Sequence, residues 1–185
     1  MEEESRIHIS ITSLIVKAAS EALEEFPILS EMWMERVDRI ICPDSGKITI
    51  YCPVQVGDKA PPLFIEEASR KKLLEISEEL NEKVELIKKG ELKMDFLPKP
   101  VFCITNVGMI GCVESGFAQS SGFFVSALVI ASILKKPVIK DDEVTIREMM
   151  NVILGWDHRV MMANTPIEFL NELKRNLEEP AIYLV

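Results

Sequence analysis

The sequence predicts an α/β two-layer sandwich, a mixed β-sheet with helices packed on one face. Three observations lead there: three segments with helical spacing of apolar residues, six or so with strand character, and strands that arrive both in hairpins and after helices. The first helical segment covers residues 12–25, with Leu14, Ile15, Ala18, Ala19, Ala22 and Leu23 on one stripe. Phe26-Pro27 ends it, because proline disfavours the α conformation in the residue before it. The second starts near Ser69 and presents Leu73, Ile76, Leu80, Val84 and Ile87 at three- and four-residue steps. Gly90 stops it after Lys88-Lys89, which suit the negative end of the helix dipole. The third is announced by Thr165-Pro166-Ile167-Glu168, a capping box with proline at the first helical position, and runs to Glu178.

Residues 37–42 and 47–56 flank Pro43-Asp44-Ser45-Gly46 and read as the two arms of a hairpin. In the second arm Ile48, Ile50, Cys52, Val54 and Val56 share one face and Lys47, Thr49, Tyr51 and Gln55 the other, the period of a sheet with one buried face. Residues 63–66, 101–106, 123–134 and 149–156 complete the sheet.

No linker or repeat divides the 185 residues, so residues 1–185 are read as a single domain. Thirty acidic against 21 basic side chains leave a net charge of -9, which argues against nucleic acid or an anionic membrane as partner. An anionic small molecule would need a local basic patch, and Lys135, Lys136 and Lys140 are the nearest cluster, read as charges on a loop. Cys42, Cys52, Cys103 and Cys112 contain no CxxC pair and read as buried free thiols. With two histidines there is no His-rich metal site, and no metal is expected. The N-terminus lacks a signal peptide's basic start, and the longest apolar stretch, 123–134, falls short of the roughly 20 residues of a spanning helix. A cytoplasmic protein is expected. The apolar tail, residues 181–185, is expected to pack on its own sheet or on another subunit.

Few residues look like a site. Gly108-Met109-Ile110-Gly111 lacks the Lys-Ser/Thr of a phosphate loop and reads as a tight turn after the 101–106 strand. The acidic pairs Glu66-Glu67, Glu78-Glu79 and Glu178-Glu179 read as solvated faces, and His8, beside Arg6, as exposed and inert. Trp33 and Trp156 read as packing residues. His158 differs: it closes the strand 149–156, just ahead of the last helix, where a rigid scaffold presents catalytic groups. Histidine is also the side chain best suited to move a proton near neutral pH.

Asp157-His158-Arg159, with Phe169-Leu170-Asn171-Glu172-Leu173 and Leu177-Glu178-Glu179-Pro180 behind it, resembles the C-terminal motif of the 2-oxo acid dehydrogenase acyltransferases, the E2 components. The segment from Val101 to Gly111, containing Ile104-Thr105-Asn106, is similar to the family's F-T-[IL]-S-N-[LI]-G-x-x-G. Leu14-Ile15-Val16-Lys17-Ala18-Ala19 and Ala22-Leu23-Glu24-Glu25-Phe26-Pro27 resemble its opening helix. The resemblance spans residues 11–185 with the motifs in family order.

The resemblance implies the chloramphenicol acetyltransferase-like fold and acyl transfer between coenzyme A and a dihydrolipoyl thiol. It implies a homotrimer, with a larger cage as a further level of assembly, and a channel between subunits. His158 would act as general base on the attacking thiol, which near pKa 8.5 is mostly protonated at pH 7. Thr105, matching the family's serine, would donate a hydrogen bond to the oxyanion, a contact worth about 3–4 kcal/mol. Asp157, Arg159 and Asn106 would support them, and no residue set for coenzyme A is identified. Two departures stand out: the family's aspartate four residues after the histidine is Met162, and the following glycine is Ala163. The chain opens close to the motif helix, so the family's preceding segment and any lipoyl or subunit-binding domain are expected to be absent, the lipoyl group coming from another protein. The alternative is a catalytically impaired homologue serving as a trimeric scaffold or acyl-carrier-binding core.

Overall fold

The computed structural model describes residues 9–34, 38–44, 46–55, 57, 60–92, 99–118 and 124–180. Along the chain run α1 (Ile11–Glu25), β1 (Met32–Met34), β2 (Arg39–Ile41), β3 (Ile50–Tyr51), β4 (Phe64–Ile65), α2 (Leu73–Lys89), β5 (Phe102–Asn106), β6 (Ser126–Lys140), β7 (Glu143–Trp156) and α3 (Asn164–Glu178). Five strands form one mixed sheet in the order β4-β3-β5-β6-β7, with β3, β5 and β6 parallel and β4 and β7 antiparallel to their neighbours. The fold class is the one expected. Alternate residues of the strands, Phe102, Ile104, Leu128, Ile130 and Leu154, join Ile15, Leu23, Ile76, Phe169 and Leu173 of the helices in one core. Phe169 anchors it, its ring 5.4 Å from that of Phe102 and edge-on to Phe26 at 6.3 Å. Full burial of each such side chain contributes roughly 1.5–3 kcal/mol.

The helices begin and end for local reasons. Ser10 caps α1, accepting from the Ser13 backbone N–H while the Ser13 hydroxyl oxygen accepts from that of Ser10, both at 3.0 Å. Lys17, buried on this helix, pairs with Glu21 and donates to the Ser69 carbonyl at 2.9 Å, tying α1 to the turn ahead of α2. The start near Ser69 shifts to Leu73, because residues 68–70 form a 3-10 turn and the Lys72 N–H is met by the Glu75 carboxylate at 2.6 Å. Gly90 closes α2 at φ 72°, where glycine has no Cβ penalty. The capping box at Thr165 does not form. Ala163 precedes α3 in helical geometry and Thr165 lies inside it, because the 157–161 turn leads the chain into the helix without the extended residue an N-cap needs.

The sheet also departs from expectation. The 37–42 and 47–56 arms do not pair with one another: β2 pairs with β1, and β3 with β4 and β5. A tight turn, Lys47 N–H to Asp44 C=O at 2.9 Å, redirects the chain so that Ile48, Ile50 and Cys52 enter the main core. Val37, Val56 and Phe123 of these expected strands and Ser45 of the expected turn, with His8 and the 181–185 tail, lie outside the described residues. Lys135, Lys136 and Lys140 lie on β6, not on a loop. Successive strand residues point to opposite faces, so Lys135 faces away from Lys136 and Lys140, and Lys136 pairs with Glu114 at 3.3 Å. Two of the four cysteines, Cys42 and Cys112, are exposed.

Beyond Ile133 and Met150, β6 and β7 continue as a two-stranded ribbon closed by Asp141-Asp142, whose positive φ values of 53° and 63° fit a type I′ turn. The cross-strand pairs Ile139↔Val144 and Pro137↔Ile146 put apolar side chains on one face, and Ile139, Val144 and Ile146 are 79%, 74% and 73% exposed.

Candidate active site

His158 sits in the turn that leaves β7. The Asp157 N–H donates to the Val125 carbonyl at 2.9 Å, and the Asp157 carbonyl accepts from Val160 and Met161 at 3.1 and 3.3 Å. The Arg159 guanidinium grips the Asp157 carboxylate with Nη2 at 2.6 Å and Nε at 3.0 and 3.1 Å, and the Arg159 backbone N–H adds a bond of 2.9 Å. Arg159 therefore holds the Asp157 carboxyl below the ordinary carboxylate range. His158, between these two, is exposed, and its ring lies 5.1 Å from that of Trp156. Met162 is 71% exposed.

Thr105 lies on β5. Phe102 and Ile104 point into the helix-side core, so Thr105 and Cys103 face the other way. Thr105 is half-buried, and no hydrogen bond among the described residues takes up its hydroxyl. Asn106 fixes the backbone beyond it: its amide donates to the Thr12 hydroxyl at 3.0 Å, and its carbonyl oxygen accepts from the Gly108 N–H at 3.0 Å. The glycines at 108 and 111 have a steric reason at the first. A Cβ on Gly108 would stand 2.4 Å from the Ala131 carbonyl oxygen. Ala131 and Ser132 sit where the β6–β7 register shifts, and Ser132 fastens the loop, its hydroxyl accepting from the Val113 N–H at 2.9 Å and donating to the Gly111 and Gly108 carbonyls. Ser132, which lies in the apolar stretch 123–134, carries a role the sequence pattern did not signal.

Between the start of α1, the 108–112 loop and the root of the ribbon lies a cleft of about 590 Å³, lined by Ile11, Thr12, Asn106, Met109, Ile133 and Met150 among others. Thr105 and His158 are not brought together within one chain. Thr105 is in register with Val129 and Ile153, whereas His158 lies beyond Trp156. At ~3.3 Å per residue and ~4.8 Å per strand, the Trp156 backbone is about 14 Å from that of Thr105. Burial pushes the Cys52 and Cys103 thiols up to about 12, which leaves neither as a nucleophile. Among the described residues no group of three His, Cys, Asp or Glu could hold a metal, and no helix is long and apolar enough to cross a membrane.

The family model for the 2-oxoacid dehydrogenases acyltransferase (catalytic domain) matches residues 1–185. The dihydrolipoyllysine-residue acetyltransferase component of the pyruvate dehydrogenase complex of Rickettsia felis is 28% identical over 183 residues, 99% of this chain. The chain spans 43% of that curated relative's length. A probable dihydrolipoamide acetyltransferase from Listeria monocytogenes is 29% identical with a TM-score of 0.86, the match covering 96% of this chain and 74% of that one. A truncated catalytic core of the 2-oxoacid dehydrogenase multienzyme complex from Thermoplasma acidophilum is 25% identical with a TM-score of 0.79, over 94% and 76% of the two chains. Chloramphenicol acetyltransferase, at 9% identity and a TM-score of 0.56 over 91% and 78%, shares the fold alone. Matched along its whole length, with the Asp157-His158-Arg159 turn and the Thr105 strand in place, the chain belongs to the 2-oxoacid dehydrogenase acyltransferase catalytic-domain family.

Proposed function

We propose that the protein moves an acyl group between coenzyme A and a dihydrolipoyl-type thiol, with His158 of one copy as general base and Thr105 of another as oxyanion donor. The attacking thiol gives its proton to the imidazole, and its sulphur adds to the thioester carbonyl. The Thr105 hydroxyl donates to the oxygen that gains charge. The tetrahedral adduct then expels the other thiolate, which takes the proton back from the imidazolium. Asp157 and Arg159 hold the turn, and Asn106 holds the strand end.

The observation that carries this reading is that the register of β5, β6 and β7 holds the exposed imidazole and the unengaged hydroxyl apart within one chain, so that a second copy is needed to close a site. A homotrimer supplies that second copy. The apolar face of the ribbon supports such an assembly: a two-stranded ribbon is marginal alone, and its exposed isoleucines continue into the cleft wall at Ile133 and Met150. The reading as an impaired scaffold gains no support, since the relatives carry acyltransferase names and Met162 points into solvent. His158→Ala should abolish transfer from acetyl-CoA to dihydrolipoamide while leaving the oligomer intact, and unchanged turnover would remove His158 from the mechanism.

A further inference from the structure

We propose that Trp33 is a positioning residue for His158, acting through Arg159; this rests on the reading of His158 as general base. The Arg159 guanidinium carbon lies 5.0 Å from the centroid of the Trp33 ring, within cation–π range. On its other side the same guanidinium forks onto Asp157. Asp157 is tied through its backbone to Val125, which in turn donates to the Glu31 carbonyl at 3.3 Å, one residue before β1. The β1–β2 flap and the His158 turn are thus linked twice, once through backbone and once through Trp33 and Arg159. His158 lies between the two residues so held, and its ring is left against that of Trp156, tilted by 55°.

Arg159 is the weak member of this chain. Its side chain is 58% exposed, and an exposed ion pair alone fixes little. The indole face limits where the guanidinium can lie, and through the planar fork on Asp157 it limits the turn. The flap is three residues to a strand, with Trp33 opposite Ile40, so the ring's place depends on the flap being closed onto the turn. The ring packs half-buried against the core, and its face also meets a charge.

The test compares Trp33→Leu, Trp33→Phe and Arg159→Met in the full-length, assembled protein labelled with 13C-histidine, His158 being assigned by its loss in H158N. Trp33→Leu is expected to lower kcat for acetyl transfer from acetyl-CoA to dihydrolipoamide roughly two- to thirtyfold, the range a cation–π contact covers, with KM unchanged. Trp33→Phe keeps a ring face and restores most of the rate. The His158 cross-peak should lose its ring-current displacement from Trp156 in Trp33→Leu and retain it in Trp33→Phe. Arg159→Met should reproduce the Trp33→Leu pattern, and the double variant should be no worse than the poorer single one. Additive losses, an unmoved cross-peak, or equal losses in Trp33→Leu and Trp33→Phe overturn the proposal. Should Trp33→Leu fail to fold, Arg159→Met with Trp33→Phe decides through the same cross-peak. If the wild-type protein transfers no acetyl group, the functional reading falls while the cross-peak still decides the role of Trp33.

Discussion

Thr105→Val and Thr105→Ser separate the hydroxyl from the shape of its side chain. On the proposed chemistry the valine loses about 100- to 1,000-fold in kcat, the cost of an oxyanion donor, with coenzyme A binding unchanged. The serine keeps the donor and stays within a few-fold of wild type, and equal loss in both would point to packing. Asp157 gives a pH prediction. Its carboxyl is held below the ordinary range by Arg159, so its contribution to stability is full above the unfolded value of about 3.9 and is lost as pH falls through the folded value. The Tm gap between wild type and Asp157→Asn should be full above about pH 3.9 and close as the pH falls below that value. Cys52 and Cys103, raised by burial, should resist a disulfide reagent at pH 8 until the protein unfolds. The His158 turn was legible because Asp157-His158-Arg159 is contiguous and follows a strand. Trp33 was not, since a tryptophan far away in the chain carries no local sign that its ring will meet a guanidinium.

At the scale of elements, periodicity located the helices well because each has one wide apolar face over 15 to 17 residues. It located the strands less well. In the ribbon only Glu143 to Arg147 alternates polar and apolar residues, and Lys135, Lys136 and Lys140 read as a loop, while the Pro43–Gly46 turn joins two different sheets because pairing partners are chosen by tertiary burial. Two element-level variants follow. Gly108→Ala drives a Cβ into the Ala131 backbone, which cannot yield as a side-chain tip can, and should destabilise the protein by about 1–3 kcal/mol by denaturant titration. Ile139→Thr with Ile146→Thr makes the ribbon face polar. It should shift the protein toward monomer in sedimentation and leave the helical circular dichroism unchanged; an unaltered oligomer would remove the ribbon from the interface.

On the scale of the whole molecule, the proposed site takes its two groups from two chains, and on that proposal neither the sequence nor a single protomer displays it complete. The motifs named the two groups, and the register of β5, β6 and β7 sets them apart. Mixing subunits tests this most directly. Inactive His158→Ala and Thr105→Val proteins, co-expressed in equal amounts, would form trimers in which about a quarter of the junctions pair an intact His158 with an intact Thr105. The account predicts that the mixture recovers roughly a quarter of wild-type transfer activity. A mixture no more active than its components, in oligomers shown to contain both, would contradict it.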